Sequence, residues 1–208
     1  MNHQNVFPSC FVGQKRLDYS TVQPARKVLL LGYSGANNTG AEALLLADIE
    51  DVRAVLGPQA VITIPSINPP NLRRYVKETS NLRIVPLPTI YFATLRRLVR
   101  ENDLVMLVEG STYMDTWSSA LLWAYLWTTH CAAVMGKPCL AYAVDAGEIK
   151  SGFNRWLVRN VASKTSMIIN RSPAAAARMR AFGVILLSFF LVMLKVRETI
   201  WRREAHFE

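Results

Sequence analysis

A chain of 208 residues suits one domain, or one domain with a tail. Hydrophobic residues make up 51% and charged residues 19%, enough for a substantial core, which excludes an intrinsically disordered protein. The net charge of +9 suits an anionic partner, while three cysteines (Cys10, Cys131 and Cys139) without metal-ligand spacing point to a reducing, cytoplasmic setting.

Met1 to Gln23 is polar and mixed, with no continuous apolar stretch of the kind that opens a secretory signal, so residues 1–26 read as a flexible leader. From Lys27 to Val184, short apolar runs alternate with helical patterns. The predicted strands are Lys27–Tyr33, Ala60–Pro65, Leu82–Val85, Asp103–Val108, Pro138–Val144 and Ser166–Asn170. Each is nearly continuously apolar and rich in branched side chains, as in strands covered on both faces. The predicted helices are Ala41–Leu56, Pro70–Glu78, Ile90–Asn102, Ser118–Met135, Ser151–Ser163 and Pro173–Phe182. This alternation predicts a Rossmann-like, doubly wound parallel sheet over residues 27–183, with ligands beyond the carboxyl ends of the strands.

Two apolar stretches bear on membranes. Ser118–Met135 is interrupted by Ser118, Thr128, Thr129 and His130 and lies between two strands, so it reads as a buried core helix, with His130 a core residue. Val184–Leu194 is too short to span a bilayer. After Gly183 the alternation stops in this reading, and residues 184–208 form an atypical apolar, then charged, tail. It is either a helix packing on the domain or a partner, or a run foreign to the native reading frame.

Between Asn71 and Arg100, seven basic residues stand against one acid, Glu78. The block suits a phosphorylated donor, a lipid-linked sugar or an acidic membrane face; its alternative reading is the solvated face of an amphipathic helix. The few aromatics here do not alternate with the cations as they do in single-strand binders, so nucleic acid is not expected as a partner.

The loops after the strands carry the chemistry-bearing residues. Gly32–Ala43 (GYSGANNTGAEA) follows the first strand. Gly35 and Gly40 permit tight turns, and Asn37, Asn38 and Thr39 can cap the next helix, leaving amide N–H groups for a phosphate or carboxylate. The loop is neither GxGxxG nor a Walker loop. After the fourth strand come Glu109, Gly110, Ser111 and Asp115, in which Glu109 is a candidate general acid; Asp115 or Ser118 alternatively caps the long helix. Asp145 follows the fifth strand and Arg171 the sixth, as a second acid and an anion contact, or as loop anchors. No GxSxG, HExxH or cysteine–histidine arrangement suggests a hydrolase, and no metal site is expected.

Read together, these loops resemble those of the polysaccharide pyruvyl transferase family. The family's opening G-x-x-G-x-x-N-x-G-D/A-E-A loop is matched by Gly32–Ala43, and its Gly-rich, Asp-ending loop loosely by Glu109–Asp115. Gly136-Lys137-Pro138 and the stretch from Arg171 to Gly183 complete a resemblance covering about residues 27 to 184. Two positions depart from the pattern: Glu109 precedes a single Gly110, and Ser172 follows Arg171 where the family has an acid. The resemblance implies the N-terminal half of a two-domain GT-B transferase, with the cleft's second half expected to be missing. It further implies transfer of a pyruvyl group from phosphoenolpyruvate, the donor substrate, to two hydroxyls of a saccharide or lipid-linked saccharide in cell-envelope or exopolysaccharide synthesis. No further cofactor is implied. Glu109 and Asp145 are then the acid candidates, Glu42 and Asp115 orient loops or sugar hydroxyls, and Arg171 with the Gly35–Gly40 turn contacts anions. The alternatives are a nucleotide-sugar glycosyltransferase and a non-catalytic single-domain fragment or binding module that pairs with another chain.

Overall fold

A computed structural model describes residues 26–116 and 118–184, and the backbone of 188–190. The strands are β1 (Lys27–Leu31), β2 (Val61–Ser66), β3 (Leu82–Pro86), β4 (Leu104–Val108), β5 (Cys139–Val144), β6 (Met167–Asn170) and β7 (Ser188–Phe190). The helices between them are α1 (Thr39–Leu56), α2 (Pro69–Leu72), α3 (Phe92–Glu101), α4 (Ser119–Val134), α5 (Gly152–Ala162) and α6 (Pro173–Ala181). The seven strands form one sheet in the order β3-β2-β1-β4-β5-β6-β7. Every ladder is parallel. This is the doubly wound, Rossmann-like α/β arrangement.

Strand alternation builds two cores. Leu29 and Leu31 of β1, Val105 and Leu107 of β4 and Ala141 of β5 face α3, α4 and α5. Val28, Leu30, Ile62, Ile64 and Met106 face α1 and the α2 region on the other side. Both faces are covered around β1, which explains why its sequence is apolar throughout. Leu29 and Leu30 are wholly buried, a contribution of about 1.5–3 kcal/mol each.

Three sequence expectations are revised. The helix expected over Pro70–Glu78 ends at Leu72. The next bonds tighten, Arg74 N to Asn71 O and Tyr75 N to Leu72 O. Glu78 leaves the helical path to accept from Ile84 N and pair with Arg73. β1 stops at Leu31 rather than Tyr33, so the whole Gly32–Asn38 segment becomes loop. The alternation also continues past Gly183, since β7 pairs parallel with β6, Ile168 with Ser188 through Asn170 with Phe190. An apolar run this short does not distinguish strand from helix by periodicity alone. The leader and the rest of the tail, including Cys10, lie outside the described residues.

α4 is the apolar helix expected in the core, with Leu122, Tyr125 and Leu126 buried. No helix among the described residues is long and apolar enough to cross a membrane. His130 is half-buried at its margin, stacked on Trp127.

Candidate functional site

Strand order reverses between β1 and β4, so the loops after them part and open a crevice at the carboxyl edge. A cavity of about 790 Å³ lies there. Its floor is Leu31–Ser34, and one wall is the Ala36–Gly40 turn at the start of α1. Ser111, Ser118, Leu121, Ala124 and Tyr125 line the opposite wall, and Pro65, Ile67, Leu87 and Tyr91 form an apolar rim. The lining carries seven hydroxyl side chains and two asparagines and, among the described residues, no charged side chain.

Of the residues singled out in the sequence, Asn37, Asn38, Thr39, Gly40 and Ser111 line this cavity. The α1 terminus is less open to an anion than expected. The Asn38 side chain accepts from Gly40 N and Ala41 N, and its carbonyl accepts from Glu42 N. Asn38 is an effective N-cap, and capping takes up two of the N–H groups that a phosphate would otherwise use.

Gly35 and Glu42 lie behind the turn and hold its shape. Asn71 donates to Gly35 O and to the Glu42 carboxylate, both buried bonds. Gly35 has φ 87°, and a Cβ there would sit 2.6 Å from Ser66 Oγ, so only glycine fits.

Glu109 reaches the cavity through two hydroxyls. Its carboxylate accepts from Ser111 Oγ at 2.6 Å and from Tyr125 Oη at 3.0 Å. Both donors line the cavity, whereas Glu109 itself is only 6% exposed. Burial first, and then the Glu109 charge, raise the Tyr125 hydroxyl well above its ordinary pKa, so it stays a donor. With the Ser111 proton directed at Glu109, that oxygen's lone pairs remain to accept from a ligand hydroxyl. Glu109 also has φ 152°, a conformation that favours glycine and stores strain of about 1–3 kcal/mol.

Asp145 and Arg171 belong to a second group at the same edge. Arg171 meets one Asp145 oxygen through Nε at 2.9 Å and Nη2 at 2.5 Å, while the other oxygen accepts from Ala146 N. Arg178 approaches that other oxygen to 4.0 Å. A β5 irregularity between Ala141 and Val144, with Ala143 at φ 52°, turns Asp145 towards Arg171. Gly110 makes the approach possible, because a Cβ there would lie 2.4 Å from Arg171 Nη1.

Asp115 is a tether: it accepts from Lys150 N, Ser151 N and Asn154 Nδ2. Burial would raise its pKa, but these bonds and Lys150 outweigh it and hold the carboxyl below the ordinary range. Ser118, not Asp115, caps α4, accepting from Ala120 N. Three of the seven cations of the basic block form exposed ion pairs, Arg73 with Glu78 and both Arg83 and Arg97 with Glu101.

Tyr33, Tyr91 and Tyr125 are cavity residues that sequence reasoning missed. The available signal was a tyrosine hydroxyl in the mostly apolar first half of α4. Among the described residues, no cluster of three or more His, Cys, Asp or Glu side chains could hold a metal ion. Cys131 and Cys139 are free and buried, and burial pushes the Cys139 thiol up to about 12.

The fold and cavity define a Rossmann-like domain with a ligand-sized crevice at its switch point. No protein-family model and no curated protein matches the sequence. Among solved structures, apo saccharopine dehydrogenase (L-Glu forming) from Saccharomyces cerevisiae aligns over 70% of this chain at 14% identity, TM-score 0.42. A mutated uronate dehydrogenase aligns over 70% at 13% identity, TM-score 0.44. The Bordetella bronchiseptica enzyme WbmH, solved with NAD+, aligns over 79% of this chain and 74% of its own at 11% identity, TM-score 0.35. The chain spans only 26% of the first structure's length and 57% of the second's. These likenesses concern the strand–helix arrangement alone.

Proposed function

We propose that this domain is the sugar-holding part of a transferase that moves a pyruvyl group from phosphoenolpyruvate onto two hydroxyls of a saccharide. The observation that carries the reading is the cavity lining, rich in hydroxyls and amides, free of charged side chains among the described residues and backed by the Glu109–Ser111 pair. Such a surface suits a neutral polyol better than a donor bearing both phosphate and carboxylate, which needs cations. In this reading those cations come from outside the described lining.

The overall change balances as follows. The donor methylene gains a proton to become methyl, and two sugar oxygens bond to the adjacent carbon as its bond to the phosphate oxygen breaks. Of the two hydroxyl protons released, one is matched by the methyl proton and the other leaves with phosphate. In this reading Glu109, acting through Ser111, takes a proton from a sugar hydroxyl and is then the general acid that delivers it to the donor methylene. Asp145, engaged by Arg171, holds loops together instead.

The reading is tested by equilibrium binding of methyl hexopyranosides, phosphoenolpyruvate and a nucleotide sugar to the purified chain. The expected result is binding of at least one hexopyranoside, weakened at least fivefold by Ser111→Ala. Tight binding of a nucleotide sugar without any of a hexopyranoside would favour glycosyl transfer and overturn the reading.

A further inference from the structure

The edge that opens the cavity also carries an unusual exposed face. Helix α5 buries Asn154, Val158 and Ala162 against the domain. On its outer side Phe153 and Trp156, three residues apart, are each 59% exposed, and their rings stack at 6.1 Å. Lys150, Arg155, Arg159 and Lys164 lie on or beside the same helix, all exposed, while the acids nearby, Glu148 and Asp115, stand at its start and none falls within residues 149–164. A solvated helix face normally mixes charges of both signs, and the core of a protein interface is depleted in charge. Exposed aromatics on a helix whose own charges are all cationic match the interfacial zone of a bilayer, where rings enter the headgroup boundary and cations meet anionic lipid.

We infer that the outer face of α5 is a docking surface for an anionic phospholipid bilayer. Contact is peripheral, since no helix among the described residues could span a membrane. It also has a direction. Trp123 Nε1 donates to Asn154 Oδ1 at 2.8 Å, which fixes α5 to α4, and the first turns of α4 line the cavity. Docking through α5 therefore brings α4, which forms one wall of the cavity, next to the docked helix. The surface is inferred independently of the pyruvyl reading, and its test uses no sugar and no donor.

The test is flotation of the full chain with vesicles of phosphatidylcholine and phosphatidylglycerol at 70:30 in 0.1 M NaCl. The chain should float with these vesicles, remain behind with pure phosphatidylcholine, and bind several-fold less in 0.5 M NaCl. Phe153→Ser with Trp156→Ser should lower partition at least tenfold. Arg155→Gln with Arg159→Gln should lower it about fivefold per cation removed. A measurement needing no variant is quenching of wild-type tryptophan fluorescence by brominated lipid in the same vesicles. Absence of both flotation and quenching overturns the inference. So does equal binding to neutral vesicles, or wild-type partition by both double variants. A concentration-dependent dimer that Trp156→Ser dissolves, with no vesicle binding, would instead assign the face to a second copy of the chain.

Discussion

The Glu109 backbone supplies a prediction whose sign runs against ordinary experience. Its φ of 152° favours glycine, and its carboxylate satisfies the hydroxyl of Tyr125, a side chain with no solvent exposure. Glu109→Ala keeps the strained backbone and removes that acceptor, leaving a buried hydroxyl unpaired at about 1–3 kcal/mol. Glu109→Gly loses the same acceptor but relieves strain of about 1–3 kcal/mol, against roughly 0.5–1 kcal/mol of extra chain entropy in the unfolded state. Glycine should therefore be about 1 kcal/mol more stable than alanine here, with Glu109→Gln, which keeps an acceptor, the most stable of the three. The assay is urea unfolding followed by circular dichroism. With a slope of about 2 kcal/mol per molar, the Gly and Ala midpoints should differ by about 0.5 M at equal slope. An alanine variant as stable as the glycine variant, or more so, would falsify the claim of strain at this position.

Asp48, buried in α1 beside Asp51, has its pKa raised by burial and then by that neighbour to about 8. The native state keeps this proton where the unfolded chain, at an ordinary 3.8, has released it, so the contribution is complete below about pH 4 and lost as pH climbs through 8. The gap sets a ceiling of about 6 kcal/mol, and Asp48→Asn should flatten the fall in stability between pH 5 and 9 while matching wild type near pH 4; parallel pH profiles of the two proteins would contradict this. Gly110→Ala should push the flexible Arg171 guanidinium aside from Asp145 and cost no more than about 1 kcal/mol, measured as a small fall in melting temperature. Asp145→Asn should destabilise the fold by a similar amount yet leave hexopyranoside affinity within twofold of wild type, because Asp145 is not part of the cavity lining; a tenfold loss of affinity would return Asp145 to the binding site.

The central strands were legible because β1 and β4 are short, branched and apolar on both faces, a pattern that burial on two sides demands. Their order and the crevice at the carboxyl edge then follow from the right-handed crossovers of the doubly wound fold. Partnership at that edge was not legible. Glu109 and Asp145 looked alike as acids ending neighbouring strands, yet one meets two hydroxyls on a cavity wall and the other meets Arg171, 26 residues away in sequence. The amides at α1 were legible only in part, because Asn38, correctly read as a cap, takes up two of them, Gly40 N and Ala41 N. The aromatic face of α5 was hidden for a related reason: Phe153 and Trp156 sit at helical spacing that ordinarily faces a core, and only tertiary packing turns them outward.

The central claim, that the switch-point cavity holds a hydroxyl-rich ligand against Ser111 and Glu109, is tested most directly by backbone amide spectra of labelled protein during titration with a binding hexopyranoside. Progressive shifts confined to Tyr33–Gly40, Ser111 and Ser118–Tyr125, and abolished by Ser111→Ala, are the predicted result. Shifts centred on Asp145 and Arg171 instead, with the cavity residues unmoved, would contradict it.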